Sequence, residues 1–169
     1  MNSILATWNE LDGDSAVTEL LSCCAAKRWA DAVVARRPFD SEQSLYAVAD
    51  HAWAAMQESD WMEAFAAHPR IGERKAQNAS TRSTAWSAQE QSEAEKAKSE
   101  VMNQLALSNK QYEELFGFTY IICATGKSAE EMLHILHRRL ASDRQAELAE
   151  AAEQQRQITQ IRLRKWLEA

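Results

Sequence analysis

The chain has 169 residues, 46% hydrophobic and 26% charged, with a formal net charge of −6. That is the composition of one globular domain large enough for a real core, and it excludes a disordered chain. Basic residues are scattered among acidic ones, which excludes the dense cationic face that nucleic-acid binding needs.

No apolar run is long enough to span a bilayer, so no membrane partner is expected. The opening "MNSILATWNELDGD" has neither the basic start nor the apolar stretch of a secretory signal, and "RKWLEA" is not a peroxisomal address. The expected compartment is the cytoplasm. Cys23, Cys24 and Cys123 show no C-x-x-C spacing and read as small buried apolar residues, not a disulfide frame or a zinc site.

In chain order, Ser15 opens a helix carrying Val17, Leu20 and Leu21. A second covers Trp29 to Ala35 and stops before Pro38. Asp40 or Ser41 caps a third, with Leu45, Val48, Ala49, Ala52, Trp53 and Met56 on one face. Asp60 starts a short helix whose Trp61 and Phe65 pack inward. It ends at His68, because a residue before proline is pushed out of the α region. Residues 72–85, "GERKAQNASTRSTA", are polar and aperiodic and form a loop. A long helix runs from Ala88 to Leu107, and a short one from Lys110 to Phe116 is closed by Gly117. "FTYIICAT" is β-like but has no strand partner, so it is a buried extended segment or an irregular helix. Ser128 and Glu131 form a capping box for the next helix. Asp143 starts the last and longest helix, to Leu167. The expectation is an all-α single domain of about eight helices over residues 1–169.

Helical phase puts His51 and His134 away from their apolar stripes and His137 near a border, as surface histidines. Glu131 to His134 matches one copy of the E-x-x-H element of di-iron bundles. Such a site needs two copies, so no metal is expected. His68 stands apart. It ends a helix, precedes the rigid Pro69 and is followed by Gly72, in a chain with two prolines and four glycines. It serves either to cap helix carbonyls or to present an imidazole for acid–base work. In "WSAQEQ", Ser87 and Glu90 form either a plain capping box or an anion-binding helix start with a carboxylate turned to a histidine. Arg162 lies at the edge of the stripe formed by Leu148, Ala152, Thr159, Leu163 and Trp166. It either snorkels to water or grips a carboxylate with two donors. Arg164 lies farther round.

"HPRIG", then "SAQEQ", then "FGF…IICATGKS" and a terminal "IRL" resemble, in this order, the decarboxylases of 2-oxo-4-hydroxy-4-carboxy-5-ureidoimidazoline (OHCU). The likeness extends through "RPF" at 37–39, "GKSAEEML" at 126–133 and "RRLASDRQAEL" at 138–148. It departs at Thr119, where many members carry proline. The resemblance implies a cofactor-free, all-helical cytoplasmic homodimer that converts OHCU to (S)-allantoin and CO2 at the end of urate breakdown. It implies that the catalytic histidine is His68, and the residue chemistry gives Glu90 a catalytic role beside it. Substrate contacts fall on Pro69, on Ser87, Ala88, Gln89, Glu90 and Gln91, and on Ile122, Cys123, Ala124, Thr125 and Gly126, with Arg162 holding the anion. Two other readings stay open: a non-catalytic interaction module whose six tryptophans form a partner surface, and a lyase or hydrolase of a related ureido compound.

Overall fold

Most of the helix starts are set by a short polar side chain. Asn2 accepts from the Ile4 and Leu5 N–H groups, Asp12 from Ser15, Ser41 from Ser44, Ser128 from Glu131 and Asp143 from Ala146. Each satisfies a donor that the first helical turn leaves without a partner. The computed structural model describes residues 2–71, 87 and 99–169. Among them are eight helices and no strand: α1 Ser3–Asn9, α2 Gly13–Leu21, α3 Lys27–Val34, α4 Glu42–Ala54, α5 Glu58–Ala66, α6 Ser99–Phe116, α7 Ala129–Arg139 and α8 Arg144–Glu168.

Several expectations shift. Helix α1 had no sequence counterpart. It is short, and Asn2 at its cap also donates to Glu42 Oε1 and the Leu167 carbonyl, both at 2.9 Å. Helix α2 starts at Gly13 on an Asp12 cap, not at Ser15. In α5, Asp60 is not the first residue. It stands in the first turn and accepts from the Gln57 N–H at 2.9 Å. The break expected between Leu107 and Lys110 is absent, because Ser108 and Asn109 are buried inside the single helix α6. The loop expected at 72–85 lies outside the described residues.

The chain groups into two compact units, residues 1–64 with 156–169, and residues 65–155. The core of the first is built on tryptophans. Trp8 stacks on Phe39 with ring centroids 6.0 Å apart and meets the Trp166 ring edge-on at 5.7 Å. The Trp8 and Trp29 indoles donate to the carbonyls of Ala16 and Ala49, each at 3.0 Å. Arg37 lies over the Trp8 ring and donates to the carbonyls of Trp8 and Leu11, at 2.7 and 2.9 Å, closing the end of α1. Among the described residues the tryptophans do not form an exposed cluster. Trp8, Trp29, Trp53 and Trp166 are buried and Trp61 is half-buried, while Trp86 lies outside the described residues.

The second unit centres on an aromatic cluster. Phe118 packs against Phe65 and Tyr112, at 5.5 and 5.7 Å, and Tyr112 against Phe116 and Tyr120. Helices α6 and α7 pack against each other beside it. Gly117 ends α6 with φ of +80°, its N–H donating to the Glu113 carbonyl at 2.8 Å. Any side chain there would be strained although space is open. Gly117→Ala should therefore lower stability by about 1–2 kcal/mol. Gly13→Ala, at an ordinary helical position with equal space, should be neutral or stabilising by up to about 1 kcal/mol. Urea unfolding midpoints check both signs.

Candidate active site

His68 is fixed from both sides along the chain. Its N–H donates to the Phe65 carbonyl at 3.1 Å, the last turn after α5, and Pro69 prevents the helix from continuing. One residue farther, Arg70 grips Glu113 of α6 with Nε and Nη2 on separate carboxylate oxygens, at 2.6 and 2.7 Å. The imidazole is half-buried, and its Nε2 lies 2.6 Å from Oε1 of Gln155 on α8.

The second piece is the segment from Phe118 to Ala124, which is neither helix nor strand. It is buried, as its sequence suggests, and it is not a helix. Its backbone is held by side chains. Arg139 Nη1 donates to the Ile121 carbonyl at 2.6 Å, the Cys123 N–H donates to Gln154 Oε1 at 2.8 Å, and Lys127 Nζ donates to the Cys123 carbonyl at 2.8 Å. A turn then follows, closed by the Lys127 N–H on the Ala124 carbonyl at 3.0 Å, with Thr125 and Gly126 exposed. Gly126 has φ of +77°, which a side chain rarely adopts.

Arg139 and Glu147 are 4% and 1% exposed and pair with each other. The Tyr112 hydroxyl donates to the same Glu147 at 2.5 Å, and the guanidinium lies over the Tyr120 ring, 4.8 Å from its centre. Burial, then the bond to Glu147, holds the Tyr112 hydroxyl well above the ordinary phenol range. Burial opposes the charge of Arg139, but the bond to Glu147 and the charges around it outweigh that and hold its pKa above the ordinary value.

Helix α8 thus uses two neighbouring residues for two tasks. Gln154 holds Cys123 and Gln155 meets His68, so His68 and the 122–126 stretch are brought to one turn of one helix. Ser87 is helical and 3% exposed. Ala88, Gln89, Glu90 and Gln91 lie outside the described residues. Arg162 belongs to the first unit and is 3% exposed, not snorkelling. Its charge is felt there by Cys24, whose thiol burial pushes up to about 11 against the opposing pull of Thr159 and Arg162.

His51, His134 and His137 are exposed, as helical phase predicts, although His137 Nε2 also lies 3.1 Å from Ser108 Oγ. Sequence reasoning missed Gln154, Gln155, Arg139 and Glu147 as site supports. A signal existed for Arg139, which shares the inward phase of Met132 and Leu136. Gln155 likewise falls in step with Leu148, Ala151 and Ala152.

Fold and site together define an all-α protein in which adjacent residues of one helix meet an imidazole and a buried, non-helical strap. Residues 9–164 match the sequence profile described as OHCU decarboxylase. The uric acid degradation bifunctional protein TTL of Arabidopsis thaliana is 35% identical over 144 residues, 85% of this chain and 44% of that one. The uric acid degradation bifunctional protein of Bacillus sp. (strain TB-90) is 29% identical over 130 residues, 75% of this chain and 24% of that one. The chain spans less than half the length of these curated relatives. A crystal structure of OHCU decarboxylase in the presence of (S)-allantoin matches with a TM-score of 0.77 and 32% identity, covering 89% of this chain and 98% of that one. A crystal structure of (S)-allantoin synthase, at 15% identity and a TM-score of 0.71, covers 96% of this chain and 53% of that one and shares the fold. The chain belongs to the OHCU decarboxylase family.

The Arg139–Glu147 pair is testable by stability. Arg139→Met leaves a carboxylate buried without its cation and should destabilise by about 3–5 kcal/mol. Adding Glu147→Leu removes that stranded charge and should recover much of the loss. Denaturant unfolding of the single and double variants measures the difference.

Proposed function

We propose that this chain, as one domain over residues 1–169, decarboxylates OHCU to (S)-allantoin and CO2 in urate breakdown. The observation that carries the reading is the pairing made by α8: adjacent glutamines hold the His68 imidazole and the Cys123 backbone. Family membership supplies the substrate class.

The chemistry suits these residues. OHCU carries its own electron sink, a C5=N imine next to the carboxylated C4. When the bond from C4 to the carboxylate breaks, its electron pair forms a C4=C5 bond, the C5=N pair moves onto the nitrogen, which takes a proton from solvent, and an enol is left. The C4 hydroxyl then gives up its proton as the C4 carbonyl forms, and C5 gains a proton on one face. In this proposal Arg162 holds the carboxylate, and its burial supports the role, because a guanidinium removed from water gains most from an anion. Glu90, with His68, orients the C4 hydroxyl. His68 is the general acid at C5, a role worth typically about 10²–10⁴-fold. Pro69, Ser87 to Gln91 and Ile122 to Gly126 shape the substrate's surroundings. Pro69 has no N–H, so its contact is apolar or through its carbonyl. The protein acts in this reading as a cytoplasmic homodimer, which sedimentation would check. No helix of the described residues is long and apolar enough to cross a membrane.

The deciding experiment is the circular dichroism trace of freshly generated OHCU. OHCU decays unaided to racemic allantoin, so rate and handedness matter more than product. Rapid appearance of (S)-allantoin supports the reading; racemic product at the unaided rate overturns it. Exhaustive chelation should leave the rate unchanged, because the substrate supplies the electron sink. His68→Ala should lose about 10²-fold or more in rate with the fold intact, checked by thermal melting, since a half-buried residue beyond the helix end fills no core.

Arg162→Lys keeps the charge but loses the planar fork, and should raise KM with a smaller effect on kcat. The reason is that the charge it grips leaves as CO2, so uniform binding aids capture more than chemistry. Arg164, exposed over the Tyr46 ring, should tolerate glutamine. Equal, negligible effects at both positions would place the anion elsewhere.

A further inference from the structure

Gln155 is 0% exposed, and its carboxamide oxygen faces His68 Nε2 at 2.6 Å. An amide oxygen offers only lone pairs, so the nitrogen facing it must carry the hydrogen. From an imidazolium, a carboxylate at the same place could take that proton; a carboxamide does not at neutral pH. The Nε2 proton is therefore held and not exchanged with substrate. Pro69 and the Arg70–Glu113 grip fix the backbone that carries the ring, and the 2.6 Å contact with Gln155 holds Nε2 on that side. Gln155 lies on the same turn of α8 as Gln154, which is tied to Cys123 and to Glu150, at 2.8 and 3.0 Å.

We propose that Gln155 is a positioning residue that locks His68 in its Nε2–H form, so that Nδ1 is the nitrogen that delivers the proton to C5 of the substrate. The assignment rests on the decarboxylase reading for the identity of the proton acceptor, but not for the tautomer. The step balances simply. The imidazolium enters with hydrogen on both nitrogens. The Nδ1–H bond breaks and its electron pair stays on Nδ1. The new C5–H bond takes the pair released from the bond to CO2. The neutral ring that remains is the Nε2–H tautomer, which Gln155 already accepts from. No rotation or second proton movement is needed before Nδ1 is reprotonated by solvent.

The test reads the tautomer directly. In protein carrying ¹⁵N-labelled histidine, the His68 signals are those lost in His68→Ala. At a pH where the ring is neutral, the two-bond ¹H–¹⁵N pattern should show hydrogen on Nε2 alone. Gln155→Leu, similar in shape but without an acceptor, should show a mixture of tautomers. In the same variant kcat should fall on the order of tenfold, the equivalent of one lost hydrogen bond, with KM within about twofold. Gln155→Glu, which keeps an acceptor oxygen, should restore the Nε2–H pattern.

An Nδ1–H tautomer in the native protein overturns the proposal, and so does native kcat in folded Gln155→Leu. Should that variant not fold, the native spectrum and Gln155→Glu decide. A fixed Nε2–H ring in a protein that does not turn over OHCU sinks the functional reading and the proton delivery with it, leaving the tautomer lock.

Discussion

A buried stretch of backbone with no helix or strand ladder must find partners for its N–H and C=O groups or lose about 1–3 kcal/mol at each. Residues 118–124 present that problem, and the second unit is arranged to solve it. The Ile121 carbonyl takes a guanidinium, and the Cys123 N–H and carbonyl take Gln154 and Lys127. Each solution creates a further demand. A guanidinium out of water needs an anion, which brings in Glu147. Glu147 has lone pairs beyond those the guanidinium uses, and the Tyr112 hydroxyl takes one. Tyr112 then sits among Phe116, Phe118 and Tyr120. The strap is thus anchored on α6, α7 and α8 together, and loss of one anchor strands the next.

The same logic governs α8. It is rich in glutamine, and by composition such a helix belongs on the surface, yet Gln155 and Gln160 are buried. Gln160 donates to the Tyr46 carbonyl at 3.0 Å and to Asp50 at 2.8 Å, as Gln154 and Gln155 serve the strap and the histidine. A carboxamide joins elements as a charged side chain would, with both a donor and an acceptor. Its desolvation is far smaller than that of an ion, so it needs no buried counter-charge.

This explains what the sequence made legible. Caps at Ser41, Ser128 and Asp143, the closing Gly117 and the outward phase of His51 and His134 follow from local rules, and local rules are visible in one chain. So is the candidate site at the level of motif, since His68 with its proline and the "IICATGK" stretch stand out. The break placed before Lys110 was an error of the same locality. Ser108 and Asn109 look like helix enders, but their burial within α6 overrides propensity. Arg139, Glu147, Gln154 and Gln155 were passed over for the opposite reason. Their partners lie 8 to 87 positions away along the chain, and a polar residue's worth at such a site depends on a partner that periodicity cannot show. Arg162 falls between these cases: its phase marked it as ambiguous, and only burial separates an inward guanidinium from a snorkelling one.

The choice of an amide beside the imidazole has a chemical logic of its own. A general acid must hold its proton until the carbon is ready and then release it. A carboxylate bonded to Nε2 would stabilise the imidazolium and so oppose release at the moment of transfer. A carboxamide orients the ring about as well and leaves its charge balance almost unchanged. Orientation and charge are then set by different groups. In the proposed site Gln155 supplies orientation, and Glu90 supplies whatever charge favours the protonated ring. In that proposal, separating the two would let the acid strength of His68 respond to Glu90 and the substrate, while α8 sets the direction of its proton. A fixed direction is what protonation on a single face of C5 requires.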